Sequence, residues 1–146
     1  MIEASGELLS PRGDAWGFVS EPYHLPDWWP AYTGVQPDRR GLSEGARWEV
    51  VRNPAPGLLR RPRGSGLIVI THVEQGNGFR WHDLAQRLDC GVRLENAGTG
   101  RTRATLHVAG PSWRIWIEGA HGLPENAAGR LHDLCQTAAS LGDAAV

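Results

Sequence analysis

Tryptophan is the residue type in this chain with the clearest capacity to form a site. The 146 residues include seven tryptophans. The sequence pattern places five of them on or beside the apolar side of strands: Trp28, Trp29, Trp48, Trp81 and Trp113. An indole ring combines a large apolar surface with one N–H donor, so such a set either fills a core or lines a ligand pocket. Both interpretations are compatible with the sequence.

Asp83 is the charged residue that shares the apolar side of a strand with Phe79 and Trp81. Burial raises the pKa of carboxyl groups in general, which allows such a group to act as an acid or a base. Asp83 is therefore the candidate catalytic residue. The alternative is that Asp83, at the end of its strand, is a turn side chain in contact with water.

The residue patterns typical of metal sites and of hydrolases are absent from the sequence. The histidines never occur as His-x-His, or as His-x-x-x-His with a carboxylate, so we expect no metal and no cofactor. The run Arg63-Gly-Ser-Gly-Leu67 is not the Gly-x-Ser-x-Gly turn of hydrolases. Cys90 and Cys135 stand far apart, and we interpret both as core thiols.

Composition and charge narrow the class of protein. A formal net charge of −1 gives no electrostatic basis for binding nucleic acid. No apolar run reaches the roughly 20 residues that cross a bilayer, and the N-terminus lacks the features of a signal peptide. The chain length and the two isolated cysteines fit a single domain in a reducing cytoplasm. We therefore expect a single cytoplasmic domain over residues 1–146, monomeric or homodimeric, with no membrane span.

The first thirty residues predict a strand followed by two short helices. Ile2 to Leu9 alternates as a strand does, and Ser10-Pro11 is a typical helix start. A second short helix is expected from Tyr23 to Trp28, because Pro26 and Pro30 limit its length. Tyr23, His24 and Tyr32 flank the Trp28-Trp29 pair and are candidates for contacts at a cavity mouth.

From Thr33 to Glu118 the sequence alternates with period two, which predicts a run of antiparallel strands. The predicted inward residues are Trp48 and Val50; Leu67, Val69, Thr71 and Val73; Phe79, Trp81 and Asp83; Leu88, Cys90, Val92 and Leu94; Thr102, Ala104, Leu106 and Val108; and Trp113, Ile115 and Ile117. The stretch Asn53 to Gly66 is irregular. Within it, Arg60-Arg61-Pro62-Arg63 is either a lid that attracts anions or a solvated loop.

A long helix is predicted at the C-terminus. It begins at Leu123-Pro124-Glu125 and ends at Gly142. Its apolar stripe comprises Ala128, Leu131, Leu134, Cys135, Ala138 and Leu141. Since one side of the whole sheet is apolar and needs a cover, we expect this helix to supply it. The order of elements is that of an α+β domain.

The segment from Ser10-Pro11 through Trp16 to Trp28-Trp29-Pro30 resembles the opening of SRPBCC proteins, the START-related, birch-pollen-allergen-like superfamily. Gly45-Ala-Arg-Trp48, Phe79-Arg-Trp81 and Gly98-Thr-Gly-Arg-Thr102 are similar to its later strands. The resemblance implies a helix-grip fold, in which a curved seven-stranded antiparallel sheet wraps around the last helix and leaves a cavity. It implies no shared catalytic residues, because the functions of the superfamily differ.

The leading functional hypothesis is binding of a small hydrophobic or aromatic ligand of lipid, polyketide or isoprenoid type. The predicted ligand-binding residues are Trp28, Trp29, Tyr32, Trp48, Val50, Trp81, Cys90, Val92, Leu106, Trp113, Leu131 and Cys135. One alternative is an enzyme of the polyketide cyclase or dehydratase type that acts in the same cavity. Another is a protein-interaction module whose pocket is filled.

Overall fold

The computed structural model describes residues 1–52 and 65–144. The strands are β1 (Ile2–Leu8), β2 (Tyr32–Gln36), β3 (Arg47–Arg52), β4 (Ser65–Glu74), β5 (Gly78–Asp83), β6 (Leu88–Gly98) and β7 (Arg101–Ala109). The helices are α1 (Arg12–Val19), α2 (Leu25–Trp28), α3 (Ser112–Ile117) and α4 (Leu123–Ala144), with a 3-10 turn at Pro22–His24.

The strands form one antiparallel sheet of seven in the order β1-β7-β6-β5-β4-β3-β2, curled into a half-barrel. Consecutive strands from β2 to β7 are neighbours, and β1 returns to pair with β7. Together with the C-terminal helix and the short helices, this sheet confirms the predicted helix-grip fold.

The two short helices close one side of the core. Pro11 caps α1, which begins one residue later than Ser10-Pro11 predicts. The 3-10 turn and α2 together replace the predicted second helix, and α2 ends in the buried pair Trp28 and Trp29. These helices therefore deliver two tryptophans to the inner side of the sheet.

Two predictions for the strands are wrong. In β4 the buried side chains are Ile68 and Ile70, whereas Leu67 is 36% exposed. An unbroken apolar run carries no clear phase, and β4 also contains a register shift between Ile70 and His72. The predicted strand from Trp113 to Ile117 is the helix α3, because Pro111 stands at its start and accepts hydrogen bonds from two following N–H groups.

The first half of α4 packs closely against the sheet, whereas the side chains of its second half are mostly exposed where the structure describes them. Ala127, Ala128 and Leu131 are buried. Strand β1 approaches the helix closely at Gly6, where a Cβ atom would lie 3.4 Å from the Cβ of Ala128. Leu134 is 37% exposed, so its predicted place in the buried stripe is wrong.

The outer half of α4 instead borders a groove beside α1. The groove has a volume of about 420 Å³, and its walls include Leu9, Ala15, Phe18, Cys135 and Ala138. Leu141, at the far end of the same helix, is 66% exposed. The apolar stripe read from the sequence is thus divided between the core and this groove.

Candidate functional site

Strand β3 turns a charged residue toward the core. Trp48, Val50 and Arg52 alternate on its buried side. The side chain of Arg52 extends across the next strand, β4, at Gly66, where a Cβ atom would lie only 2.8 Å from Nη2 of Arg52. Because Gly66 has no side chain, Arg52 can reach Asp83 on β5.

Asp83 is completely buried and accepts four hydrogen bonds from described residues. Its Oδ1 accepts from Nη2 of Arg52 in a buried salt bridge, and from the backbone N–H groups of Ala85 and Gln86 at 3.1 and 3.0 Å. Its Oδ2 accepts from the Tyr32 hydroxyl at 2.7 Å. The carboxylate therefore anchors the β5–β6 turn and also positions Arg52 and Tyr32.

Tyr32 connects this charged pair to the aromatic residues. It is 1% exposed, and its hydroxyl accepts a hydrogen bond of 3.2 Å from Nε1 of Trp81. Burial, and then the charge of Asp83, raise the pKa of Tyr32 well above its ordinary value. Tyr32 is consequently a neutral donor near pH 7. Tyr32, Arg52 and Asp83 are called the inner polar cluster below.

Arg52 keeps its charge inside the fold. Burial lowers its pKa, but the hydrogen bond and the charge of Asp83 outweigh burial, and the pKa of Arg52 is raised overall. Glu118, at the end of α3, contributes in the same direction. Glu118 is itself buried and lies 3.6 Å from Arg114, which gives a second ion pair.

Aromatic rings pack beside the inner polar cluster. Trp81 lies edge-on to Trp29 at 5.1 Å between ring centroids and to Trp28 at 6.0 Å. Phe79 contacts both Trp28 and Trp81, and none of these four residues is more than 2% exposed. The arrangement is typical of stable aromatic packing.

Several buried polar atoms in this region lack a hydrogen-bond partner within the described ranges. They are Nε1 of Trp28, Nε1 of Trp29, Nη1 of Arg52 and Oε1 of Gln86. By contrast, Nε1 of Trp48 donates to the carbonyl of Gly41 at 2.9 Å. Three unused donors thus accompany one unused acceptor.

Most of the predicted ligand-binding residues lie together in this core. Trp28, Trp29, Tyr32, Trp48, Val50, Trp81, Cys90, Val92, Leu106 and Leu131 are all buried there. Cys135 is partly buried, packs against the edge of this core and also lines the groove between α1 and α4. Trp113 is 58% exposed on α3 beneath the guanidinium of Arg114, so its predicted inward orientation is wrong.

Arg52 and Glu118 were not predicted from the sequence. Arg52 lies two residues after Val50, so the alternation that identified Trp48 and Val50 also points to Arg52. Of the other polar candidates near the tryptophan pair, Tyr23 is 60% exposed, and His24 stacks on Phe18 at 4.3 Å. The segment Arg60–Arg63, predicted to be a lid or a solvated loop, lies outside the described residues.

In the part of the chain that the structure describes, no group of three or more His, Cys, Asp or Glu side chains is placed to hold a metal ion. No helix in residues 1–52 and 65–144 combines the length and the apolar character needed to traverse a bilayer.

The geometry defines a START-related, birch-pollen-allergen-like fold with a polar cluster buried among aromatic rings. Solved structures of this fold resemble the chain over nearly its whole length. The protein XoxI from Bacillus cereus superposes with a TM-score of 0.70 at 11% identity, covering 93% of this chain and 96% of that one.

Two further structures superpose similarly. A START superfamily protein from Mycobacterium smegmatis has a TM-score of 0.67 at 11% identity, covering 93% of this chain and 97% of that one. Norcoclaurine synthase from Thalictrum flavum, a point mutant in complex with a transition-state analogue, has a TM-score of 0.63 at 15% identity, covering 93% of each chain. No protein-family model matches the sequence, and no curated protein matches it. These likenesses establish the fold.

Proposed function

We propose that this protein binds a small, mainly apolar aromatic molecule on the inner side of the sheet, beside the inner polar cluster. The observation that carries this proposal is a set of buried donors that have no acceptor among the described residues: Nε1 of Trp28, Nε1 of Trp29 and Nη1 of Arg52. Buried polar groups are nearly always hydrogen-bonded, and leaving one unpaired costs about 1–3 kcal/mol. A ligand with oxygen atoms would satisfy these groups.

The exposure of the cluster supports an approach of the ligand from the side of Arg52. The side chain of Arg52 is 10% exposed, whereas that of Asp83 is fully buried. The cluster thus approaches the surface at Arg52. The likeness to norcoclaurine synthase, which was solved with a transition-state analogue, supports a small-molecule role for this fold.

Native mass spectrometry of the purified protein tests the proposal directly, because it detects small molecules that remain bound. Titration with a panel of neutral aromatics, followed by tryptophan fluorescence and melting temperature, gives an independent test. A ligand at a hundred times its Kd adds about 2.7 kcal/mol to stability. A Trp29→Phe variant should weaken binding, whereas Trp116→Phe, at a residue 60% exposed, should not.

If no compound changes the emission or the melting temperature, and none co-purifies, the ligand-binding proposal is wrong. The aromatic rings then form a filled core, as in the hypothesis of a protein-interaction module.

A second candidate is an enzyme that transfers a proton in the same place. The observation favouring it is the Tyr32 hydroxyl, which lies between the N–H of Trp81 and the carboxylate of Asp83. A hydroxyl bonded to a carboxylate can relay a proton: Tyr32 passes its own proton to Asp83 as it receives one from a bound molecule. Tyr32→Phe would then abolish turnover while the ligand still binds. Equal turnover by the variant would eliminate Tyr32 as the relay.

A further inference from the structure

We infer that the polar group of the ligand is an uncharged oxygen acceptor, such as an aryl ketone or quinone carbonyl, received by Nη1 of Arg52, and that the site discriminates against carboxylates. The inference rests on the proposed function and specifies its ligand. Its first basis is the number of unpaired groups: within the described stretches of the chain, three buried donors lack a partner, against one acceptor, at Gln86. A complementary molecule is therefore rich in acceptors and poor in donors.

The second basis is the orientation of Arg52. A guanidinium group is a rigid planar fork, so fixing one of its arms also fixes the other. Nη2 is held by Asp83, and Asp83 is held in turn by the N–H groups of Ala85 and Gln86 and by the hydroxyl of Tyr32. Nη1 is thus a preorganised donor. Asp83 is a positioning residue in this arrangement.

The third basis is the balance of charge. The positive charge of Arg52 is neutralised by Asp83, and the negative charge of Glu118 is neutralised by Arg114. Glu118 is also close enough to Arg52 to raise the pKa of its guanidinium. A carboxylate ligand would lose its hydration and would add a third negative charge near two existing ones. A neutral carbonyl accepts the same hydrogen bond without that penalty.

Three probes of nearly equal shape separate these possibilities: 2-acetylnaphthalene, 2-naphthoate and 2-ethylnaphthalene. Each is titrated into the 15N-labelled protein while the indole N–H signals of the tryptophans are followed by NMR. We expect the ketone to bind about tenfold more tightly than the hydrocarbon, which corresponds to one hydrogen bond. The carboxylate should bind no more tightly than the hydrocarbon. Signals of Trp28 and Trp29 should shift, and those of the exposed Trp113 and Trp116 should not.

The variant Arg52→Lys retains the positive charge and removes the second arm of the fork. It should lower the preference for the ketone over the hydrocarbon to about one, while circular dichroism confirms the fold. Arg52→Met removes the partner of Asp83 and risks unfolding, so the comparison of ligands on the unmodified protein is the primary test.

The outcomes are distinct. Equal affinities for the three probes overturn the inference and leave the proposed function standing. Tighter binding of the carboxylate also overturns the inference. If none of the three probes binds, the inference is overturned; the proposed function is wrong as well only if no compound of the wider panel binds and none co-purifies.

Discussion

The Tyr32 hydroxyl donates a 2.7 Å hydrogen bond to Oδ2 of Asp83, and both residues are almost completely buried. Tyr32→Phe removes the donor and also leaves Nε1 of Trp81 without its acceptor. Since hydrogen bonds to charged groups contribute about 1.5–3 kcal/mol, we expect the free energy of unfolding to fall by that amount. Chemical denaturation measures it. Tyr23→Phe, at a residue 60% exposed, is the control and should change stability by less than about 0.5 kcal/mol.

Replacing Asp83 by Asn should destabilise the protein more than any change at Tyr32. The variant leaves the guanidinium of Arg52 buried without its counter-charge, and breaking a buried ion pair in this way costs about 3–5 kcal/mol. The double variant Asp83→Asn/Arg52→Met should recover part of the loss in denaturation experiments. Asp89→Asn changes an exposed carboxylate and serves as the control. Equal stability of Asp83→Asn and Asp89→Asn would contradict the stabilising role of the ion pair between Arg52 and Asp83.

Gly66 provides a test of how Arg52 is held. In Gly66→Ala the new methyl group would lie 2.8 Å from Nη2 and 3.0 Å from Nε of Arg52, so the guanidinium must shift away from Asp83. We expect lower stability and weaker ligand binding. Gly34→Ala is the matched control, because its Cβ meets only ordinary contacts with Val51 at 3.6 Å. Titration of both variants with 2-acetylnaphthalene measures the difference in affinity. Identical affinities of Gly66→Ala and Gly34→Ala would contradict the prediction.

The two leucines of α4 should respond very differently to truncation. Leu131 is fully buried, so Leu131→Ala should lower the free energy of unfolding by about 2–5 kcal/mol. Leu134→Ala should cost less than about 1 kcal/mol, since this side chain is 37% exposed. Urea denaturation of the two variants compares their free energies of unfolding and so reveals which side of α4 faces the sheet. The reverse order would mean that the helix is rotated.

Stability should fall in alkaline solution because of Cys90. Burial, and then the charges of Asp83 and Asp89, raise the pKa of the Cys90 thiol well above its ordinary value. Above the unfolded thiol pKa of about 8.5, the unfolded chain releases a proton that the folded chain retains, so the free energy of unfolding decreases as pH rises. Cys90→Ala should flatten the decrease between about pH 8.5 and about pH 10. Cys135→Ala should flatten it less, because Cys135 is half-buried and its pKa is raised less strongly.

Alternation predicted most of the sheet because its strands have one buried and one solvated side. It failed in β4, where Leu67, Ile68, Val69 and Ile70 are consecutive apolar residues that fit either phase. It also failed at α3, where an alternating apolar series follows a proline and six residues form a helix. In both places the local pattern was compatible with two structures, and tertiary packing decided between them.

Only part of the site could be predicted from the sequence. The phase shared by Asp83 and Trp81 identified one member of the inner polar cluster. Its partner Arg52 lies 31 positions earlier and reaches Asp83 across β4 only because of Gly66. Such a contact depends on the register of three strands, which alternation within any one strand does not determine.

The two edge strands of the sheet, β1 and β2, have a consequence for how the protein behaves in concentrated solution. Strand β1 presents Glu3, Ser5 and Glu7 outward at one edge, and β2 at the other edge has five residues and a register shift next to Tyr32. Charged side chains and short, irregular strands obstruct the addition of a further strand from another molecule. These features therefore disfavour fibrillar aggregation through either end of the sheet.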